Sequence, residues 1–377
     1  MTARPLDGIT VVSIEQAVAA PYATRQLADL GARVIKIERD TGDFARGYDE
    51  SVRGMASYFV WLNRGKESVV LDLKEPRDAE ALRGLLGGAD VFVQNLAPGA
   101  ADRLGLDATT LRAANPRLIH VSISGYGTGG DYDQKKAYDL LIQCEAGLLS
   151  VTGSADEPAK VGVSIADIAA GTHAHSAILT ALFARERTGE GDVIEVSMLE
   201  ALGEWMSQPY LYAQYSGAQP PRTGAEHATI APYGPFHTAD GSVFIGIQNE
   251  REWAAFAASV LDQPEVAEDP RFASNTLRVR HRAVLRERIE SAFAQRSSAD
   301  VLQRLDAAGI ANAALRDLAD FSAHPQLAAR DRWREIDTPV GPVRVLAPPA
   351  TFGSFEPLLG PVPALGEHTE RVLGEVQ

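Results

Sequence analysis

Cysteine is all but missing from this chain. Cys144 stands alone among 377 residues, which excludes an intrachain disulfide framework and suits a reducing compartment. Long apolar runs are missing as well. No uninterrupted stretch approaches the roughly 18 residues of a membrane span, and the opening "MTARPLDG" holds no apolar signal segment, so a cytoplasmic protein without a membrane partner is expected. Positive charge is in deficit: 36 Lys and Arg stand against 50 Asp and Glu, for a formal net charge of -14. Nucleic acid, which needs a basic footprint, is therefore not an expected partner. A phosphorylated small molecule needs only a local basic site and stays open. The P-loop and the Gly-x-Ser-x-Gly elbow are also lacking, and the first turn has Glu15, Gln16 and Ala17 where the dinucleotide fingerprint of nicotinamide binders needs glycines. His173 and His175 lie two apart, so on a helix they face different directions, and no metal site is expected.

What the chain does have is 45% hydrophobic and 23% charged residues in a length beyond that of a usual single core, so a large domain plus a smaller one is expected. "GITVVSIEQAVAAPYATRQLADLGARVIKIE" (Gly8 to Glu38) reads as strand, helix, strand, a βαβ unit of a mononucleotide-type α/β layer. The pattern repeats. Ser68 to Lys74 reads as a strand, Glu75 to Gly88 as a helix, Ala89 to Ala100 as a strand entering a loop, and Pro116 to Gly130 as a strand ending in a Gly-rich loop. Such loops are where open α/β sheets bind ligands. Another strand and helix follow over Asp192 to Leu202. Residues 208–224, rich in Pro, Gly, Tyr and Gln, read as a linker. A hairpin turned at Asp240-Gly241 and a helix beginning near Asn249 open a smaller α+β domain over 225–330. The large domain is then 1–207, completed by 331–377.

One stretch poses a question. In "VSIADIAAGTHAHSAILTALFARERTG" (Val163 to Gly189), Asp167 sits among Ile165, Ala166, Ile168, Ala169, Ala170 and Gly171 where a long helix begins. An N-cap accounts for it, since Asp there accepts backbone N–H bonds. So does chemistry: helix-end N–H groups keep a carboxylate ionised, ready to act as base or nucleophile. The small residues after it allow another backbone to approach closely. Cys144, inside "AYDLLIQCEAGLL", reads as a small buried hydrophobe. Arg39, Lys74, Arg103 and Lys136 stand near strand ends, placed to meet phosphates.

Seven segments in order, "PLDGITVVSIEQAVAAPYATRQLADLGARVIKIE", "NRGKESVVLDLK", "NLAPGAADRLGL", "ISGYGTGG", "KKAYDLLIQCEAGLLSVTG", Asp167 with its helix, and "RTGEGDVIEVSMLEAL", resemble the class III CoA-transferase family over about residues 5 to 372. The resemblance implies an α/β fold with a Rossmann-like large domain and a smaller α+β domain, two subunits interlocking as an obligate homodimer. It implies no prosthetic group, with coenzyme A arriving as acyl-CoA substrate beside small carboxylic acids. Asp167 matches the family's catalytic aspartate. Gln16, Ala17, Arg39, Leu73, Lys74, Asn95, Leu96, Ala97, Arg103, Lys136, Tyr138 and Asp139 match the CoA-binding segments. In the family's racemases a histidine precedes the residue equivalent to Asp139. Here Tyr138 stands there, and a phenol is a poor base at neutral pH. "PRTGAEHATIAPYGPF" and "IGIQNEREW" resemble the subgroup using succinyl-CoA and C4 to C5 dicarboxylic acids such as itaconate, mesaconate, citramalate or malate. Arg222, His227, Gln248 and Asn249 are then the candidates for binding the acid. An intramolecular mesaconyl-CoA C1-C4 transferase, a 2-methylacyl-CoA racemase and a non-catalytic acyl-CoA-binding protein stand as alternatives.

Overall fold

Val11, Val12, Ser13 and Ile14 are all buried, as are Val34 to Glu38, and strands this enclosed need cover on both faces. The computed structural model, which describes residues 3–375, shows that cover. Strands β1 (Thr10–Ile14), β2 (Arg33–Glu38), β3 (Lys66–Val70), β4 (Val91–Gln94), β5 (Ile119–Ser124) and β6 (Val193–Ser197) form one parallel sheet in the order β3-β2-β1-β4-β5-β6. Alternate residues serve opposite faces. Val11, Val34, Val93 and Val121 pack with the helices Ala19–Asp29, Ile165–Thr188 and Met198–Trp205. Val12, Ile35, Val69 and Phe92 pack with Pro76–Gly87 on the other side. The order reverses between β1 and β4, which creates a crevice at the carboxyl ends of those two strands.

The chain divides into two units. The larger comprises Met1–Leu148, Val161–Gln208 and Leu327–Gln377, and the smaller Leu149–Lys160 and Pro209–Gln326. Residues 149–160, which the composition reading keeps in the large domain, group with the smaller unit. The Gly224 N–H donates to the Gly153 carbonyl at 2.8 Å, and Arg222 donates to the Ser154 and Ala155 carbonyls, both at 2.9 Å. Within the smaller unit, β7 (Tyr233–His237), β8 (Ser242–Gly246) and β9 (Ala311–Ala314) make an antiparallel sheet. Its core gathers Phe236, Ile245, Trp253, Phe256, Ile289 and Phe293. The larger unit also holds the antiparallel pair β10 (Trp333–Ile336) and β11 (Val343–Leu346). No helix among the described residues is long and apolar enough to cross a membrane.

One local reading gains detail and one is corrected. The segment read as a linker adds a helix, Ser207–Ser216, none of whose residues is buried, because tyrosine, leucine and glutamine tolerate helical geometry once the glycines at 217 and 224 are left outside it. Cys144 is exposed: on the short helix Asp139–Glu145 the inward positions are Ile142 and Gln143, and the helical period turns Cys144 outward.

The helices Ala19–Asp29 and Ile165–Thr188 touch backbone to backbone. A methyl group on Gly171 would stand 2.6 Å from the Ala19 carbonyl oxygen and 3.2 Å from the Tyr22 ring. Alanine is favoured over glycine inside a helix by about 1 kcal/mol, but overpacking here costs more. Gly171→Ala is expected to lower stability by about 1–3 kcal/mol, read as a fall in Tm. An unchanged Tm would show that the helices can separate without cost.

Candidate active site

Parallel strands place all their carboxyl-end loops on one edge of the sheet, and that edge carries most of the residues singled out above. Gln16 and Ala17 follow β1, Arg39 follows β2, and Leu73 and Lys74 follow β3. Asn95, Leu96 and Ala97 follow β4, with Arg103 ending the short helix Ala100–Arg103. Lys136, Tyr138 and Asp139 come after β5. The crevice at the sheet reversal brings three of them together. Asn95 Oδ1 accepts the Gln16 N–H at 2.9 Å while its Nδ2 donates to the Gln16 carbonyl at 2.9 Å. Ala17 follows in a left-handed conformation, φ +60°. Leu73 and Leu96 are half-buried against the sheet's outer core, and Ala97 is exposed.

Asp167 lies in the first turn of Ile165–Thr188, but it is not the cap. The N-cap position is Ser164, whose side chain makes no capping bond. The N–H groups of Ala166 and Asp167 donate instead to Asp139 Oδ1, at 2.8 and 3.3 Å, so the cap comes from another helix. Asp139 is braced in turn. Buried Gln143 donates from Nε2 to Asp139 Oδ2 at 2.6 Å and accepts the Val161 N–H at 3.0 Å. Among the described residues the Asp167 carboxyl makes no hydrogen bond. It is half-buried, and burial, followed by the nearby negative charge of Asp139, pushes it up to about 7.

An aromatic flank completes the surroundings, and sequence reasoning missed it. Tyr48 stacks edge-on to Tyr58 at 5.6 Å, and the Tyr58 hydroxyl lies 3.4 Å from Ser164 Oγ at the start of the Asp167 helix. Partial burial, then the charges of Asp43 and Asp167, push the Tyr48 phenol up to about 12, so it stays protonated. Asp43 was also missed, although "GDFA" carries a cap signal: its Oδ1 accepts the Ala45 N–H at 2.9 Å. Tyr48 has no such local signal.

Arg39, Lys74, Arg103 and Lys136 are exposed, and none of them joins an ion pair among the described residues. Arg39 donates only to the Gly42 carbonyl, at 3.3 Å. Four unpaired cations along one edge of an acidic protein favour an anionic ligand there.

The four substrate candidates lie in the smaller unit and have partners of their own. Arg222 grips the Ser154–Ala155 turn. His227 stacks on Tyr233 at 5.1 Å, and its Nδ1 accepts the Thr229 N–H at 3.2 Å. Asn249 caps the helix Glu250–Ala255 by accepting the Glu252 N–H at 2.9 Å, and Glu252 accepts the Gln248 N–H at 2.9 Å. The second bond ties the residue before the cap to the first turn of the helix. Among the described residues no three His, Cys, Asp or Glu are grouped to hold a metal. Burial, then the Arg25 charge, holds His175 down to about 4 and therefore neutral.

A poorly solvated carboxyl beside the ligand-binding edge of an open parallel sheet, with free cations along that edge, defines an enzyme for anionic small molecules. The chain belongs to CoA-transferase family III, whose model matches residues 6–369. It is 34% identical over 384 residues to the succinate–glutarate CoA-transferase of Agrobacterium fabrum, covering 99% of this chain and 96% of that protein. With the succinyl-CoA:mesaconate CoA-transferase of Haloarcula hispanica it shares 32% identity over 383 residues, covering 98% and 96%. Among solved structures, a CAIB/BAIF family protein from Brucella suis matches with a TM-score of 0.88 at 34% identity, covering 100% of both chains. The chain is thus a transferase moving CoA between carboxylic acids, with coenzyme A entering as part of the substrate.

Proposed function

We propose that this enzyme takes CoA from succinyl-CoA and passes it to a C4 or C5 dicarboxylic acid, glutarate, mesaconate, itaconate, citramalate or malate, with Asp167 as the covalent carrier. The observation that carries this reading is the Asp167 carboxyl itself, free of hydrogen bonds and held at about 7. A carboxylate of raised basicity is a stronger nucleophile than an exposed one, and near neutral pH a large fraction of it is ionised. One Asp167 oxygen attacks the thioester carbonyl carbon, the C–S bond breaks, and CoA leaves as thiolate from a mixed anhydride. The thiolate attacks the aspartyl carbonyl, forming the enzyme–CoA thioester and releasing succinate. The acceptor carboxylate then attacks that thioester and expels the thiolate, which takes the acceptor's acyl carbon and frees Asp167. No step consumes water, and partial burial keeps water from the anhydride.

The fold supports the same reading. The strand order is that of doubly wound dinucleotide-binding sheets, so the large unit is Rossmann-like in this proposal, and the unpaired cations suit the phosphates of CoA. The relatives that use succinyl-CoA with glutarate or mesaconate support the acid class. A homodimer belongs to the proposal too: the helix Ser207–Ser216 buries none of its residues and exposes Tyr210, Leu211 and Tyr215, a surface suited to a second copy. Arg222, His227 and Asn249 make structural bonds through their side chains, whereas among the described residues Gln248 is tied only through its backbone N–H, which leaves its amide to meet the acid in this proposal.

The test is incubation with succinyl-CoA and each acid separately, with every acyl-CoA identified by mass spectrometry. A new acyl-CoA and an equal amount of succinate are expected with at least one C4 or C5 dicarboxylate. Succinyl-CoA alone should leave CoA on the peptide containing Asp167. Transfer only to monocarboxylic acids, or an adduct on another residue, would refute the reading.

A further inference from the structure

Two consecutive peptide groups after β1 are gripped by side chains from elsewhere. Asn95 brackets Gln16, as described, and the Ala17 N–H donates to Asp43 Oδ1 at 3.1 Å. The left-handed conformation of Ala17 is unfavourable for an L-residue, so a turn of this shape persists only where its surroundings impose it. Asp43 is itself imposed upon. Its Oδ2 accepts from Lys36 Nζ at 2.7 Å, and Lys36, wholly buried, lies 3.6 Å from Glu15 Oε1. Glu15 also accepts from buried Lys66 at 2.6 Å and from the Thr24 hydroxyl at 2.6 Å. Two lysines balance two carboxylates beneath the turn, and none of the four takes part in the transfer chemistry. The turn decides where the helix Ala19–Asp29 begins, and the Ala19 carbonyl is what lies against Gly171, one helical turn beyond Asp167.

We propose that Asp43, fixed by Lys36, is a positioning residue for CoA transfer: it holds the Gln16–Ala17 turn in its left-handed shape and, through that turn, sets the CoA thiol arm against Asp167. The proposal rests on the proposed function and on the resemblance by which Gln16 and Ala17 match the CoA-binding segments. Its remedy follows from its cause. Glycine adopts φ +60° unaided, so a glycine at position 17 replaces the clamp with an intrinsic preference.

The experiment compares wild type, Asp43→Ala and the double variant Ala17→Gly/Asp43→Ala for kcat, for KM of succinyl-CoA and for CoA affinity by calorimetry. Asp43→Ala is expected to lose roughly 100-fold in kcat and to bind CoA more weakly. Adding Ala17→Gly is expected to restore at least about tenfold of that loss. A merely structural role would leave kcat per folded enzyme unchanged and confine the loss to Tm, which the glycine raises by relieving the left-handed backbone. An Asp43→Ala enzyme with wild-type kcat, or a double variant no better than the single, overturns the proposal. Should Asp43→Ala fail to fold because buried Lys36 loses its nearer partner and keeps only Glu15 at 3.6 Å, Lys36→Met/Asp43→Ala removes both charges, and the same comparison is made with and without Ala17→Gly. A wild-type protein that accepts no CoA from succinyl-CoA overturns the donor reading alone, since CoA affinity still ranks the variants.

Discussion

Asp167→Asn is expected to abolish transfer, by at least about 10⁴-fold in kcat/KM, and to yield a more stable protein. The loss follows because an amide neither attacks a thioester nor carries CoA as a thioester. The gain follows from linkage. A carboxyl at about 7 in the fold, against an unfolded value near 3.8, binds a proton in the native state that the unfolded state has released. The stability tied to that proton is fully present below about pH 3.8, declines as pH rises, and is gone above about pH 7. Asparagine never ionises and suffers no such decline. At pH 8 the variant should exceed wild type by about 1–3 kcal/mol, a range discounted because the group is only half-buried. At pH 4 the two should coincide. Melting curves at both pH values check this. Equal Tm at pH 8 would mean that the carboxyl is not raised, and full activity in the variant would place the carrier elsewhere.

Asp139→Asn should move the acid limb of the kcat/KM profile downward from about pH 7, by about one unit. Burial is the larger cause of the raised Asp167 carboxyl and Asp139 the smaller, so the limb should shift without reaching the ordinary range of an aspartate. The sign is fixed. Taking away a neighbouring negative charge favours ionised Asp167, so the variant gains relative to wild type at pH 6 and not at pH 9. Asparagine keeps an oxygen for the Ala166 and Asp167 N–H groups but presents an NH₂ toward Gln143. Asp139→Ala removes the cap as well, which costs roughly 1 kcal/mol and frays the turn that carries Asp167. Its kcat should fall at every pH. A limb that stays at pH 7 in both variants would leave burial as the sole cause, and a limb that rises would contradict the geometry.

The central strands were legible because each is a short apolar run bounded by glycine, proline or charge, whereas β3, read as Ser68 to Lys74, runs over Lys66–Val70 because Lys66 and Glu67 hide its start. The loops at their carboxyl ends were legible for the same reason, since a strand's end fixes its loop. Asp167 was legible as an oddity, a charge amid alanine and isoleucine. Its cap was not. Asp139 lies 28 residues away, and only the packing of two helices reveals that it, rather than Asp167, satisfies the helix end. The same holds for the side chains that hold the turn after β1. Asn95 and Gln16 are 79 residues apart, and the bond between them exists only because β1 and β4 are neighbours in the sheet. Exposed faces misled in the opposite direction. Cys144 looked apolar in context but faces outward, and the Tyr-rich segment after 207 carries no apolar stripe although it is helical.

The contact at Gly171 makes the two helices a jig. With the Ala19 carbonyl seated where a side chain would otherwise stand, main chain gauges main chain, and no rotamer enters the measurement. In the proposed reaction, exchanging side chains around the crevice is then expected to change which acid is accepted without resetting the spacing between the first loop and the carboxylate one turn above the glycine. On that expectation specificity and reactivity are separately adjustable, the one written in side chains and the other in the distance between two backbones.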